Sequence, residues 1–186
     1  MTRQIAGWIA LFFSSTCFTG FLPGKIIGKP GKGGGMAGAL VGLGMQLLFV
    51  YYHAPWWCAV VALVLTFVVG LLTVRAGEQF MLERWGQGRR HTGKVVGHDR
   101  NETNIDEVMG QLIAGFGVTV LPPEDFVTAC ASLLVSFMYF RLWDTLKLWP
   151  VADVEERFKG SAFGIMFDDA IAGIPGLVVW YFFALL

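Results

Sequence analysis

Apolar residues run along the chain in six long stretches, at residues 5–22, 36–52, 56–74, 105–121, 126–149 and 163–186, separated by shorter segments where glycine, proline and charge collect. Most of them reach or approach the ~20 residues that a helix needs to cross the hydrocarbon core of a bilayer. The pattern predicts an all-α, polytopic transmembrane bundle of about six apolar helices, forming a single domain over residues 1–186. The first stretch is the least regular. It carries Ser14, Ser15, Thr16, Thr19 and Gly20, so a re-entrant or interfacial helix is the alternative to a crossing one, and no small-x-small cleavage site follows it to mark a signal peptide.

If all six stretches cross, the connections alternate sides and the basic residues sort themselves. One side receives Lys25, Lys29 and Lys32, then Arg75, Arg84, Arg89, Arg90, Lys94 and Arg100, then Arg157 and Lys159. The other receives only Arg3, and its turns around His53–Pro55 and Leu121–Asp125 hold no Lys or Arg. The positive-inside rule then places the basic loops in the cytoplasm.

Composition agrees with a membrane protein. Of the 186 residues 55% are hydrophobic and 15% charged, and the formal net charge is zero; no basic run supports a nucleic-acid partner. Cys17, Cys58 and Cys130 all lie in apolar runs without paired spacing, as buried filler thiols do.

Against this background five acids stand out. Asp106 and Glu107 open the fourth stretch, Asp144 lies near the end of the fifth between Arg141 and Lys147, and Asp168 and Asp169 open the sixth. An ionised group inside a membrane costs at least ~2.5 kcal/mol, so such residues point to function. On the alternating topology all five share one depth near the basic side. Helix dipoles alone account for acids at helix starts, but not for Asp144 near a helix end. Arg141, Asp144 and Lys147, spaced three apart, rise along one helical face. Within each adjacent acidic pair the two side chains diverge by ~100°, so one can face a shared centre while the other takes a supporting partner. Five carboxylates against two bases call for a further cation, and an all-oxygen donor set selects a hard divalent ion, with Mg²⁺ the usual one beside phosphate.

The glycine-rich segment from Gly28 to Gly38, with Lys25, Lys29 and Lys32, is a second element. It lacks the Gly-Lys-Ser/Thr spacing of a Walker loop. Two readings stay open for it, a phosphate clamp that uses Lys32 and a basic loop serving topology. Gly34, Gly38 and Gly42, four apart, read as a helix-packing stripe.

Three ordered blocks resemble the phosphatidylglycerophosphatase A family of bacterial membrane lipid phosphatases. His98-Asp99 precedes Asp106-Glu107 by eight residues; Phe140-Arg141-Leu142-Trp143-Asp144-Thr145-Leu146-Lys147-Leu148-Trp149-Pro150 is similar to F-R-x-x-D-x-x-K-P-x-P; and Gly164-Ile165-Met166-Phe167-Asp168-Asp169 with Ala172-Gly173 is similar to G-I-M-x-D-D-x-x-A-G. Leu148 stands where the family has proline. The family's P-G-T-x-G-S pattern becomes Pro30-Gly31-Lys32 followed by an expanded glycine run and Ala39, without the hydroxyls.

The resemblance implies a Mg²⁺-dependent hydrolase that removes the terminal phosphate of phosphatidylglycerophosphate to give phosphatidylglycerol, in the bacterial inner membrane with its site on the cytoplasmic side. It implies that Asp106, Glu107, Asp168 and Asp169 supply most of the metal shell, that Asp144 completes it or orients the attacking water, and that Arg141 and Lys147 bind phosphate oxygens. Lys32, His98 and Asp99 are candidate substrate contacts, with a general-acid role and a plain loop role both open for His98. No Cys-x5-Arg or Asp-x-Asp motif is present, which favours attack by water over a phospho-enzyme. The rival expectation is a cation-coupled transporter or channel, which would spread its acids through the membrane depth.

Overall fold

The computed structural model describes residues 2–29, 32–86, 88–89, 95–96, 102–158 and 160–184. Among these the chain is helical: α1 (Thr2–Ser14), a 3-10 turn (Thr19–Phe21), α2 (Leu22–Ile27), α3 (Gly34–Tyr51), α4 (Trp56–Trp85), α5 (Ile105–Ala114), α6 (Phe116–Val120), α7 (Phe126–Leu146), α8 (Val151–Arg157) and α9 (Ala162–Ala184). A two-residue antiparallel pairing of Gly88–Arg89 with Val95–Val96 is the one departure among the described residues.

Among the described residues four helices are long and apolar enough to cross a bilayer, Gly34–Tyr51, Trp56–Trp85, Phe126–Leu146 and Ala162–Phe182, and the bent pair Thr2–Ser14 and Thr19–Ile27 is so only when taken together. Their outer faces are greasy. Leu40, Leu48, Val64, Leu65, Leu72, Leu134, Met138, Val178 and Phe182 are all exposed, the inside-out pattern of a helical membrane protein.

The other two predicted stretches are broken. The first bends by 74° between α1 and the segment Thr19–Ile27. Rather than following the apolar part of α4, α1 lies along its polar end: Trp8 packs on Phe80 and Trp85, and Gly77 leaves room for Ser14. The bend itself is tied to the start of α5, where Asn104 N donates to Ser14 O at 3.0 Å.

The predicted stretch 105–121 is two short helices, α5 and α6, parted at Gly115. Its apolar run marks the core of the protein instead of a lipid-facing span. Ile105, Asp106, Val108, Met109, Gly110, Gln111, Leu112 and Ala114 are all buried, and α5 is enclosed by α3, α4, α7 and α9.

Small residues make this enclosure close. A Cβ on Gly42 of α3 would stand 2.9 Å from both Gln111 Cβ and Val108 O, and one on Gly38 would meet Asn104 and Glu107. On the other side, a Cβ on Gly173 of α9 would stand 3.0 Å from Ile113 Cβ, and one on Gly176 would stand 2.9 Å from Ala114 Cβ. Of the stripe expected on α3, Gly38 and Gly42 pack against α5, and Gly35, which was not part of it, joins them there. Deeper in, Gln111 Nε2 donates to Gln46 Oε1 at 2.9 Å and Gln46 Nε2 donates to Leu112 O at 3.0 Å, which pins α3 and α5 in register.

The bundle has two unequal ends. At one, Leu43, Val50, Val118, Ala129 and Leu133 form an apolar cluster with Trp180 packed against it. At the other lie the start of α3, the start of α5, the end of α7 and Asp168 and Asp169 of α9.

Candidate active site

Helix α7 begins with an ordinary cap: the exposed Asp125 side chain accepts a 2.8 Å hydrogen bond from Thr128 N, which holds that carboxyl below its usual pKa. Its other end is the start of the site. Three-residue spacing lines up Arg141, Asp144 and Lys147 on one face. Lys147 then takes a left-handed backbone conformation (φ 47°) that ends the helix.

Arg141 reaches across to α5. Its Nη1 pairs with Glu107 Oε2 and stands 3.2 Å from Asp144 Oδ2. Lys147 faces the other way. Its Nζ lies 3.4 Å from Asp144 Oδ1, 3.3 Å from Asp168 Oδ2 of α9 and 3.6 Å from Glu155 Oε2 of α8. Asp144 is thus shared by two cations, one serving α5 and the other α9 and α8. The side chains of Arg141, Glu107, Asp144 and Asp168 keep only 12–17% of their exposure, whereas Lys147 and Glu155 keep 34% and 35%. The layer is sealed within and open on the Lys147–Glu155 side.

Asp106 and Asp169 lie beneath it, 8% and 4% exposed. Asp169 is within electrostatic reach of Glu107, Asp144, Asp106 and Asp168, and Gly110 permits this approach, since a Cβ there would stand 2.8 Å from Asp169 O. Asp106 Oδ1 is buried with no hydrogen-bond partner, as is Arg141 Nε.

The donor chemistry fits a magnesium ion. Every candidate ligand is a carboxylate oxygen, and an orphaned buried carboxylate oxygen such as Asp106 Oδ1 calls for a cation or a proton. In the arrangement described, however, Arg141 and Lys147 take up oxygens of Glu107, Asp144 and Asp168, and among the described residues no three His, Cys, Asp or Glu side chains surround a common ion position.

Of the residues singled out in the sequence, Asp106, Glu107, Arg141, Asp144, Lys147, Asp168 and Asp169 come together in this layer. Lys32 is exposed, in the turn that leads into α3; three residues on, Gly35 lies against the Glu107 carboxylate, which a Cβ at that position would strike. His98 and Asp99 lie outside the described residues. An apolar groove of about 300 Å³ between α7 and α9, lined by Val127, Ser132, Val135 and Trp180 among others, contains none of these acids.

Two further residues belong to the layer. Glu155 enters through Lys147, 3.6 Å away, from α8, which folds back after the Arg141–Lys147 block. Asn104, fully buried, donates from Nδ2 to Thr19 Oγ1 at 3.2 Å and to Gly34 O at 3.1 Å. It joins the N-terminal bend, α3 and α5 just behind Asp106.

Comparison with known proteins bears on this arrangement. A family model described as Phosphatidylglycerophosphatase A matches residues 12–184. The chain is 33% identical over 92 residues to the phosphatidylglycerophosphatase A of Escherichia coli (strain K12), covering 49% of each protein, so this match spans about half the length of that relative. It is 25% identical over 166 residues to the phosphatidylglycerophosphatase A of Haemophilus influenzae Rd, covering 86% of this chain and 82% of the relative. No solved structure matches the chain. The family match omits only most of α1 and the last two residues, and on it the chain belongs to the phosphatidylglycerophosphatase A family.

Proposed function

We propose that this protein hydrolyses the terminal phosphate of phosphatidylglycerophosphate, releasing phosphatidylglycerol and inorganic phosphate, with Mg²⁺ and at the cytoplasmic face of the bacterial inner membrane. The observation that carries the reading is the double pairing of Asp144, whose two oxygens face Arg141 and Lys147 from opposite sides. Two cations held in place this way, at the end of the bundle and beside an open edge, suit a phosphomonoester entering from a lipid headgroup.

Phosphoryl transfer is served by positioning and charge neutralisation more than by covalent chemistry. Arg141 offers a planar fork with a free Nε donor, and Lys147 offers an ammonium at the open edge; together they orient the phosphate oxygens. Asp144 keeps the two bases apart and facing inward, and its carboxylate can accept a proton from the attacking water. Asp106, Asp169, Glu107 and Asp168 are the residues that would hold magnesium. When bound, the ion would supply Lewis-acid polarisation of the phosphate and neutralise developing charge. The basic residues of the loops at this end, Lys25, Lys29 and Lys32 among them, support a cytoplasmic orientation.

The test is inorganic phosphate release from phosphatidylglycerophosphate by the purified protein in detergent micelles. Release that requires Mg²⁺ and stops with chelator is expected. Release that persists in chelator would remove the metal from the mechanism, and no release under any condition would remove the phosphatase.

A further inference from the structure

Among the described residues, Glu155 is the acid of the ion-pair layer that stands at its open edge. Its carboxylate lies 3.6 Å from Lys147 Nζ, only slightly farther than Asp144 and Asp168 at 3.4 and 3.3 Å. The inner two are 12% and 13% exposed, whereas Glu155 is 35% exposed and Lys147 34%. Helix α8 fixes it there. Val151, at the start of that helix, is fully buried in a cluster with Phe140 and Ala172, and α8 packs along α9.

A phosphate approaching Lys147 from the open side therefore finds the ammonium already paired with the outermost carboxylate. We propose that Glu155 is a specificity-determining residue that competes with the substrate phosphate for Lys147. The inference rests on the phosphatase reading above and deepens it. Substrate binding becomes an exchange in which Lys147 keeps Asp144 and Asp168 while giving up Glu155 for a phosphate oxygen. A phosphomonoester dianion, with two charges and three terminal oxygens, can win that exchange. A phosphodiester with a single charge is a poorer competitor, and phospholipids whose phosphate carries an alcohol headgroup, including the product of the proposed reaction, are phosphodiesters. The latch would thus favour the terminal monoester over the bulk of the membrane and help to release the dephosphorylated lipid.

Removing the charge should improve binding, which loss of a structural contact would not do. Glu155→Gln and Glu155→Ala are each expected to lower KM for phosphatidylglycerophosphate in mixed micelles by about two- to fivefold, the range commanded by a half-exposed ion pair. Inhibition by phosphatidylglycerol should tighten in both, and Glu155→Asp should return both values toward wild type. In a Lys147→Ala background the same substitutions should leave KM unmoved. Either charge-removing variant, eluting as a folded species, with KM unchanged or raised would overturn the proposal. Inorganic phosphate binding to the full chain, followed by phosphorus NMR, provides an arm without turnover: tighter binding in Glu155→Gln than in wild type is expected, and equal or weaker binding defeats the latch. Absence of phosphate release from the wild-type protein defeats the phosphatase reading instead, so the two failures are separately visible.

Discussion

Lys147 Nζ lies 3.3 Å from Asp168 Oδ2, which joins the end of α7 to the first half of α9. Lys147 makes the contact from a left-handed backbone (φ 47°), an uncommon conformation for a residue with a Cβ. Three-residue spacing already sets it on the face of Arg141 and Asp144. Its backbone ends α7 there, and its ammonium spans Asp144 and Asp168.

Backbone and ammonium can therefore be separated by substitution. Lys147→Gly relieves the left-handed conformation while removing the charge, so its melting temperature should be no lower than that of Lys147→Ala. Both should lose about ten- to a hundredfold in kcat/KM, the scale of a charge-assisted hydrogen bond of about 1.5–3 kcal/mol. Lys147→Gly with wild-type kcat/KM would mean that the ammonium plays no part in turnover.

Asp106 and Asp169 give a sharper case, because neither depends on reaching solvent. Each is buried, and the Asp106 Oδ1 atom has no partner to lose. Asp106→Asn and Asp169→Asn keep the shape and remove the charge, so both proteins should still extract and elute as wild type does. Phosphate release should be abolished in both. Full activity in either variant would reject a role for that carboxylate in the reaction.

Charge and spacing made most of the site legible before any coordinates. Arg141, Asp144 and Lys147 could be placed on one face because their separation is a property of any helix, and the four other acids could be placed at the same end because successive crossing stretches alternate in direction. Helix α5 was harder. A run of apolar residues has the same composition whether it is surrounded by lipid or by other helices, so residues 105–121 looked like a span when their burial is against protein. Gly115, where that run breaks into α5 and α6, carried no stronger signal than any other helical glycine. Glu155 was out of reach for a different reason: its role comes from the fold-back of α8 after Lys147, and no periodicity within α7 reports on it.

The packing that brings α5 under the acidic layer can be tested away from the chemistry. Gly42 and Gly44 sit on the same helix, two residues apart, with opposite surroundings. A Cβ on Gly42 would stand 2.9 Å from Gln111 Cβ and Val108 O, whereas a Cβ on Gly44 would meet nothing within 4 Å. In both positions alanine is the better helix former, by about 1 kcal/mol. At Gly44 that preference is unopposed, so Gly44→Ala should melt at or above wild type. At Gly42 the added methyl group forces α3 from α5 and strains the Gln46–Gln111 pair, an overpacking cost of about 1–3 kcal/mol, so Gly42→Ala should melt lower despite the same gain in propensity. Because Gly35 and Gly38 on the same stripe lie against Glu107 and Asn104, the displacement should also reduce phosphate release in Gly42→Ala and spare it in Gly44→Ala. Thermal unfolding in detergent, followed by intrinsic fluorescence, compares the two directly. Equal melting temperatures would mean that α3 and α5 are not in the close contact on which the position of Glu107 depends.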